Sequence, residues 1–100
     1  MNSYVKNEFI EHQELSLNMH IFVKMLDDIT LTFEVESDDK VKSLKEQIFD
    51  KIRSRDNREI SICDQRLIYR GQSLNDAYSL QDYDISLHDT LHLVLNLRGG

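Results

Sequence analysis

The sequence predicts an α+β fold in which a mixed sheet of four to five strands packs on one α-helix. Two runs near the start and one at the end alternate apolar and polar residues, as half-buried strands do. Between them, one segment repeats apolar residues at the spacing of an amphipathic helix. Because a single helix covers only one face of a sheet, the other face is expected to be open to water.

The first two strands are expected to form a hairpin. Residues 20–25 alternate in character, and residues 29–36 do so over their whole length. The side chains expected to face the core are Ile21, Val23, Ile29, Leu31, Phe33 and Val35. Residues 26–28 predict a short turn in which Asp27 or Asp28 takes a left-handed conformation, because aspartate tolerates that region.

The helix is predicted over residues 40–53. Apolar residues recur on one of its faces, and they are Val41, Leu44, Ile48 and Ile52. The residues expected to cap its start and to place negative charge there are Ser37, Asp38 and Asp39. No glycine or proline marks its end, and residues 53–59 are predicted to be a charged loop.

The second half of the chain predicts two more strands. Residues 65–70 form a short strand, and Gly71 makes the turn after it. Gly71 is also the only glycine before the last two residues, so it is the only glycine available for an interior position with positive φ. Residues 90–97 form the last strand, with Leu91, Leu93, Leu95 and Leu97 on one face.

Composition restricts the class of partner. The 100 residues include 12 basic and 18 acidic ones, for a net charge of −6 and a pI near 5.1. That size corresponds to one small domain. A protein without a net positive field is not expected to bind nucleic acid or an anionic membrane.

Cysteine usage and hydropathy indicate the compartment. Cys63 is the only cysteine, which excludes an internal disulfide and fits a reducing compartment. No stretch approaches the ~20 apolar residues needed to cross a bilayer, and the start of the chain does not read as a secretory signal. The protein is therefore expected to be soluble and cytoplasmic, nuclear or both.

Motifs for catalysis and for metal binding are missing from the sequence. There is no Ser/His/Asp set, no paired carboxylates and no phosphate-cradling loop, and Gly71 alone cannot make one. The histidines, His12, His20, His88 and His92, lack metal-ligand spacing. Cys63 has no evident histidine partner and is expected to be an inert thiol. We expect neither an enzyme, nor a cofactor, nor a metal site.

The chain divides into an arm and a domain. Residues 1–18 show no clean period and carry one lysine against three glutamates, so they are predicted to be a flexible arm. A short docking peptide is the alternative for this segment. Residues 19–100 are predicted to be the folded domain, and the pattern of strands and helix begins there.

Several ordered motifs of this domain resemble the ubiquitin family. They are MHIFVKML, TLTFEVE, DQRLIY and TLHLVLNLRGG, and together they run from Met19 to Gly100. The resemblance implies the β-grasp fold, which the periodicity independently permits. Tyr69 and the pair Asn75-Asp76 are similar to the cullin-modifying member of the family. Because fold alone does not give function, the site residues must carry it.

The resemblance implies that the chain is a modifier conjugated through Gly99 and Gly100. In such proteins an ATP-dependent enzyme adenylates the terminal carboxylate, cysteine thiolates take it as a thioester, and a lysine amine accepts it. The residues expected to contact the activating enzyme are Arg66, Asn96, Leu97 and Arg98. Conjugating and ligase enzymes and deconjugating proteases are the further implied partners. A merely flexible tail is the alternative.

The resemblance also implies a docking patch for ubiquitin-binding types of domain. The patch residues are Leu26, Ile68, Gly71, His92 and Val94. Such a patch is small, so partners of a monomeric protein are expected to bind weakly. A docking domain that is not conjugated is the alternative function, and it would normally continue past Gly100.

The sequence departs from the family in its charges. Asn96 stands where ubiquitin has arginine, which alters recognition by an activating enzyme. The principal chain-linking lysines are replaced by Gln72, Leu87 and Ile29. Single-unit tagging is therefore expected. The candidate acceptor lysines are Lys24 and Lys51, whereas Lys45 is expected to pair with Asp76. The longer loop before the third strand is expected to be a solvated face, the alternative being a specificity surface.

Overall fold

The computed structural model describes residues 18–96 as one sheet and one main helix. The strands are β1 (Asn18–Lys24), β2 (Thr30–Glu36), β3 (Gln65–Tyr69), β4 (Gln72–Ser73) and β5 (Thr90–Leu95), and the helix is α1 (Val41–Asp56). Short 3-10 turns occupy Ile62–Asp64 and Gln81–Tyr83. Among these residues, no helix combines the length and the apolar character needed to cross a membrane.

The sheet is mixed, with the strand order β2-β1-β5-β3-β4. β1 pairs antiparallel with β2 and parallel with β5, and β3 pairs antiparallel with both β5 and β4. The crossover from β2 to β3 runs through α1, which lies on one face. The predicted β-grasp type of α+β fold is confirmed. β1 begins at Asn18, the last residue of the segment predicted to be an arm.

The core lies between the inner face of the sheet and α1. Every second residue of β2 is buried, and Ile21 faces Phe33 across the hairpin, as the alternation predicts. The helix contributes the predicted Val41, Leu44, Ile48 and Ile52, each of which is fully buried. Leu67, Leu91 and Leu93 close the layer from β3 and β5. Burying one such side chain contributes about 1.5–3 kcal/mol.

The start of α1 is capped by backbone and not by side chains. Lys40 is the N-cap residue, and no side chain caps the helix. Instead, the N–H groups of Val41 and Lys42 donate to the carbonyl oxygens of Tyr78 (2.9 Å) and Asp76 (3.2 Å). The prediction that Ser37, Asp38 and Asp39 cap the helix is therefore wrong. The Asp39 carboxylate accepts the Glu36 N–H at 2.9 Å, within the turn before the helix.

The helix also ends later than predicted. Residues 53–56, assigned to a charged loop, are helical up to Asp56. Arg53 and Arg55 lie in the last turn, where positive charge favours the negative end of the helix dipole. Asn57 then adopts a left-handed conformation (φ 56°), and its N–H donates to the Arg53 carbonyl at 2.9 Å. An asparagine thus supplies the stop that usually falls to glycine.

Positive φ is more widespread than the predicted Gly71 and hairpin aspartate. Among residues 18–96, Gly71 has φ 76°, and five residues other than glycine are also positive, namely Asp28, Asn57, Arg70, Asp84 and His88. Asp28 (φ 69°) confirms the predicted hairpin turn. Arg70 and Gly71 form the two-residue turn between the paired Tyr69 and Gln72, a geometry that requires positive φ at both positions.

A buried ion pair joins α1 to the loop that precedes the second 3-10 turn. The Lys45 ammonium lies 2.6 Å from the Asp76 carboxylate, and the Lys45 side chain is only 7% exposed. The Lys45 carbonyl accepts a hydrogen bond from the Gln65 side chain at 3.1 Å. The predicted pairing of Lys45 with Asp76 is confirmed. One helical residue therefore contacts both the 76–79 loop and β3.

Lys45 is buried and Asp76 is partly exposed. We therefore expect substitutions of the two residues to lower the free energy of unfolding by different amounts. Asp76→Ala leaves a buried ammonium without its counter-ion and should cost about 3 kcal/mol or more. Lys45→Met keeps the buried volume and leaves Asp76, whose side chain is 44% exposed, in water. It should cost less than half as much. Urea unfolding of both variants measures the difference, and a larger loss for Lys45→Met would contradict the assignment.

A second polar contact ties β3 to the turn before β5. The buried Tyr69 hydroxyl donates to the Asp89 carboxylate at 2.6 Å, which also accepts the Ser86 N–H at 2.8 Å. This hydrogen bond and then burial raise the pKa of Tyr69 above its ordinary value. Burial alone would raise the pKa of Asp89, but the bonds from Tyr69 and Ser86 outweigh it and lower that pKa.

The contact should make stability depend on pH. Because its folded pKa is lowered, Asp89 stabilises the fold above its unfolded value of about 3.9. That contribution is lost as the pH falls through the folded pKa. Tyr69→Phe should therefore cost about 2 kcal/mol at pH 7, since a hydrogen bond to a charged group is removed. The cost should shrink as the pH falls through the folded pKa of Asp89. A cost in urea unfolding that stays constant down to the acid limit of the folded state would refute this.

Candidate functional site

The outward side of the sheet brings most of the predicted patch together. Ile68 of β3 lies opposite His92 of β5, and Arg66 lies opposite Val94. His92 is exposed, whereas Ile68 and Val94 are half-buried. Lys24 of β1 flanks His92 from the other side. Three of the patch residues therefore form one continuous surface on two neighbouring strands.

Leu26 and Gly71 lie in the turns that follow β1 and β3. Leu26 lines a cleft of about 250 Å³ together with the core-side residues Ile52, Leu93 and Leu95. Leu26 is 80% exposed and follows β1, which runs parallel to β5. Since Lys24 lies opposite His92, the chain leaves β1 toward the end of β5 that carries Val94. Gly71 lies in the β3–β4 turn with open space around its Cα, so its φ, and not crowding, favours glycine there.

The outward side chains of β1, β3 and β5 form a surface without carboxylates, here called the open face. They are Asn18, His20, Phe22, Lys24, Arg66, Ile68, Thr90, His92 and Val94. On the same side of the sheet, β2 places Glu34 opposite His20 and Glu36 opposite Asn18. At the turn, the Asp28 carboxylate lies 3.8 Å from the Lys24 ammonium. The open face is thus mixed in character: Lys24 and Arg66 lie near the apolar Ile68 and Val94, and the glutamates of β2 border its other end.

The root of the tail lies beside the open face. The Asn96 N–H donates to the Asp64 carbonyl at 2.7 Å, one residue beyond the end of β5. Arg66 is exposed on the neighbouring strand, opposite Val94. Two residues predicted to contact an activating enzyme, Arg66 and Asn96, therefore lie at the same end of the β3–β5 ladder. Leu97, Arg98, Gly99 and Gly100 lie outside the described residues.

The lysines differ in how far their amines are engaged. Lys24 makes one long ion pair with Asp28, and its side chain is 45% exposed. The Lys51 ammonium donates to the Thr32 carbonyl at 2.6 Å and lies 4.7 Å from the centre of the Phe33 ring. Of the two candidate acceptors, Lys24 is the more available, because Lys51 must break a short hydrogen bond to react.

Sequence reasoning missed an aromatic groove at the β4 end of the molecule. An open groove of about 680 Å³ is lined by residues that include Tyr69, Tyr78, Tyr83 and Asp82. The Ser79 N–H donates to the Asp82 carboxylate at 2.9 Å and lowers the pKa of that group. The tyrosines are far apart in sequence or embedded in a turn-rich segment, so no periodic signal indicates that they converge.

An acidic cluster also escaped prediction. Among residues 18–96, carboxylate oxygens of Glu36, Asp38 and Asp39 lie within 4.8 Å of one another. Two of these acids, Asp38 and Asp39, were predicted to cap the helix, and their approach to Glu36 follows from the turn before α1. Cys63, in the turn before β3, is exposed.

The sequence of the chain is similar to those of known ubiquitin-like proteins. The ubiquitin family model matches residues 21–98. NEDD8-like protein RUB3 of Arabidopsis thaliana is 35% identical over 82 residues, which are 82% of this chain and 97% of RUB3. Ubiquitin-like protein NEDD8 of Dictyostelium discoideum is 34% identical over 82 residues, covering 82% and 99% of the two chains. Ubiquitin-like protein 4A of Anoplopoma fimbria is 32% identical over 77 residues, 77% of this chain and 46% of its own.

The contacts of the Lys24, Lys51 and Lys45 amines predict the order in which these amines are acylated. A water-soluble acetylating ester should modify Lys24 first, Lys51 more slowly and Lys45 at least about tenfold more slowly than Lys24, because the buried amine must first lose its ion pair. Peptide mass spectrometry over time measures the three rates in one sample. Modification of Lys45 as fast as Lys24 in the folded protein would contradict the structure.

Proposed function

Because the chain belongs to the ubiquitin family, we propose that it is a protein modifier joined through the Gly100 carboxylate to lysine amines of target proteins. The observation that carries the proposal is the sequence Leu97-Arg98-Gly99-Gly100, which follows Asn96 beyond the end of β5. Family membership also confirms the expectation that the chain is not an enzyme.

The proposed chemistry uses the carboxylate of this chain and the active sites of its partners. An activating enzyme joins the carboxylate to the AMP portion of ATP and releases pyrophosphate. A cysteine thiolate of the enzyme then displaces AMP to form a thioester, and a target amine displaces the thiol to form an amide. Two glycines without Cβ atoms allow the tail to enter a narrow channel. The chain supplies the transferred group and its recognition surfaces.

The root of the tail is proposed to select the activating enzyme. Arg66 and Arg98 supply guanidinium groups for acidic enzyme residues. Asn96 follows β5 and precedes Arg98 by two residues, and it places a neutral amide where ubiquitin has a cation. A half-buried Asn96 anchored at Asp64 suits an enzyme that tolerates an uncharged residue there. We therefore propose a dedicated activating enzyme over that of ubiquitin.

The open face is proposed to bind partners after conjugation. Its apolar residues Ile68 and Val94 lie beside His92 on β3 and β5, and the exposed Leu26 follows β1. A small surface patch of this kind supports reversible binding, with Kd values on the order of micromolar, which correspond to a binding free energy of about −8 kcal/mol. Ligases, deconjugating proteases and ubiquitin-binding types of domain are the proposed partners of a monomeric protein in the cytoplasm, the nucleus or both.

A docking domain that is not conjugated is the second candidate. The match to ubiquitin-like protein 4A covers 46% of that protein, so domains of this type also occur within longer chains. Such a domain would use the open face in the same way but would not need Gly100. The two candidate functions therefore differ in whether they require the C-terminal tail.

A charging assay tests the proposal. The full chain is mixed with ATP, magnesium and a panel of activating enzymes, including the one from its own source, and run on a non-reducing gel. We expect an adduct that thiol reagents remove and that a chain lacking Gly100 does not form. No adduct with any enzyme that charges its own modifier would favour the docking domain.

Asn96→Arg is the specificity variant of the same assay. It should raise charging by ubiquitin's activating enzyme by about tenfold or more, because an arginine forms charge-assisted hydrogen bonds that an amide cannot. Arg66→Gln is the matched control, since it removes a guanidinium from the neighbouring strand and should lower charging by every enzyme. An unchanged enzyme preference for Asn96→Arg would show that this position does not select the enzyme.

A further inference from the structure

We infer that the aromatic groove at the β4 end of the molecule binds an arginine side chain of a partner protein. Among residues 18–96, the lining of this groove shares no residue with the open face, so the inference goes beyond the proposed function and does not depend on it. The volume of about 680 Å³ is typical of ligand sites, which measure roughly 300–1,000 Å³. The occupant is defined by the tyrosine rings and the carboxylates of the lining.

Two tyrosines offer their rings to a ligand in the groove. The ring centres of Tyr78 and Tyr83 lie 5.9 Å apart, with an angle of 32° between the ring planes. The Tyr78 side chain is 52% exposed and is therefore accessible from solvent. The Tyr83 hydroxyl accepts the Asn75 N–H at 2.8 Å, which holds its ring in place. A guanidinium binds such rings through both its plane and its positive charge.

A third tyrosine of the groove already contacts a guanidinium. The guanidinium carbon of Arg70 lies 5.0 Å from the centre of the Tyr69 ring, and both residues line the groove. Within the described part of the chain, no cationic side chain lies over the ring of Tyr78 or Tyr83. The groove therefore contains one tyrosine that is paired with a guanidinium and two that are open to one.

Two carboxylates line the groove on either side of Tyr83 in the sequence. The Asp82 carboxylate accepts the Ser79 N–H at 2.9 Å and is held in place by it. The Asp84 side chain is exposed, and among residues 18–96 its carboxylate takes part in no hydrogen bond or ion pair. Because a carboxylate accepts two parallel N–H bonds from a guanidinium, Asp84 is the free partner for an incoming arginine.

The positive groups near the groove each have a partner within the domain. Arg70 lies over Tyr69, and the Lys40 ammonium donates to the Ala77 carbonyl at 3.2 Å. The lining itself has two carboxylates and one guanidinium, a net charge of −1, and Lys40 balances that charge from outside the lining. Net charge therefore does not select the ligand. The selection comes from an unpaired carboxylate that lies in the same groove as open tyrosine rings.

Other side chains satisfy the groove less well than arginine does. An apolar side chain would take Asp82 and Asp84 out of water without giving them a partner, which costs free energy. A carboxylate would meet two carboxylates of the lining. A lysine ammonium is a strongly hydrated point charge and has no plane to lie against a ring. Arginine contacts ring and carboxylate together, and tyrosine and arginine are enriched among the residues that dominate binding at protein interfaces.

The groove and the open face lie on different sides of β3. Tyr69 is buried on the core side of the strand, whereas the neighbouring Ile68 lies opposite His92 on the open face. An arginine in the groove therefore leaves the open face available. A partner that uses both surfaces binds more tightly than either contact alone allows, because its second contact forms within the complex.

An NMR titration of the isotope-labelled full chain tests the inference. The probe is the blocked peptide acetyl-Gly-Arg-Gly-amide, and the matched probes carry citrulline or lysine in place of the arginine. Citrulline keeps the planar shape of arginine without its charge. We expect the arginine peptide to shift the amide signals of Tyr78, Tyr83 and Asp84 with a Kd on the order of millimolar. The other two peptides should bind at least about fivefold more weakly, and the signals of His92 and Val94 should not move.

Variants of the groove separate the ring contact from the charge contact. Tyr78→Ala should weaken binding of the arginine peptide at least about fivefold, and Tyr78→Phe, which keeps the ring, should retain most of the affinity. Asp84→Asn should weaken binding at least about threefold. Asp28→Asn is the matched control, since it removes the same charge from another left-handed position, at the β1–β2 turn, and should leave the affinity unchanged. The spectrum of each variant shows whether its fold is intact.

Four results would overturn the inference. The first is the absence of shifts at the groove with arginine peptide on the order of 10 mM. The second is equal binding of the arginine peptide and either matched peptide. The third is an equal loss of affinity in Asp28→Asn and Asp84→Asn, and the fourth is a shift of His92 as large as that of Tyr78. Since no activating enzyme takes part in the titration, its failure is distinct from a failure of the charging assay.

Discussion

The buried ammonium of Lys45 is the constraint on which the rest of the fold depends. It needs a counter-ion, and Asp76 supplies one at 2.6 Å. That pairing holds the 76–79 loop against the start of α1, where its carbonyls accept the first N–H groups of the helix. The backbone of the same lysine binds Gln65 at the start of β3. Helix, loop and third strand are thus fixed relative to one another, and with them the strand that carries Ile68.

Periodicity predicted the sheet and helix well, because both elements bury one face. The alternation of β2 and the helical spacing from Val41 to Ile52 follow directly from burial. The ends of α1 were not predictable in the same way. Its cap comes from Asp76 and Tyr78, far along the chain, and its stop is an asparagine in a conformation that sequence does not record. The left-handed Arg70 follows from the two-residue turn, which only strand pairing reveals.

The candidate site also combines features that the sequence predicts with features that only the structure shows. Its residues were proposed from a family resemblance, and the ladder between β3 and β5 shows which of them share a surface. What sequence could not give are properties that emerge from pairing. The convergence of Tyr69 with Tyr78 and Tyr83 and the hydrogen bond of the Lys51 amine depend on how loop, helix and sheet pack against one another.

The contact between Lys51 and Thr32 has a consequence for solubility. β2 is the outermost strand on its side of the sheet, so its free edge is a template for pairing with other chains. A lysine whose ammonium occupies an edge carbonyl places charge where a foreign strand would have to add. An acyl group on Lys51 would remove that charge and release the carbonyl together. Lys51 therefore opposes edge-to-edge aggregation through β2. Acylation of its amine would remove this protection and leave the edge carbonyl free to pair with another chain.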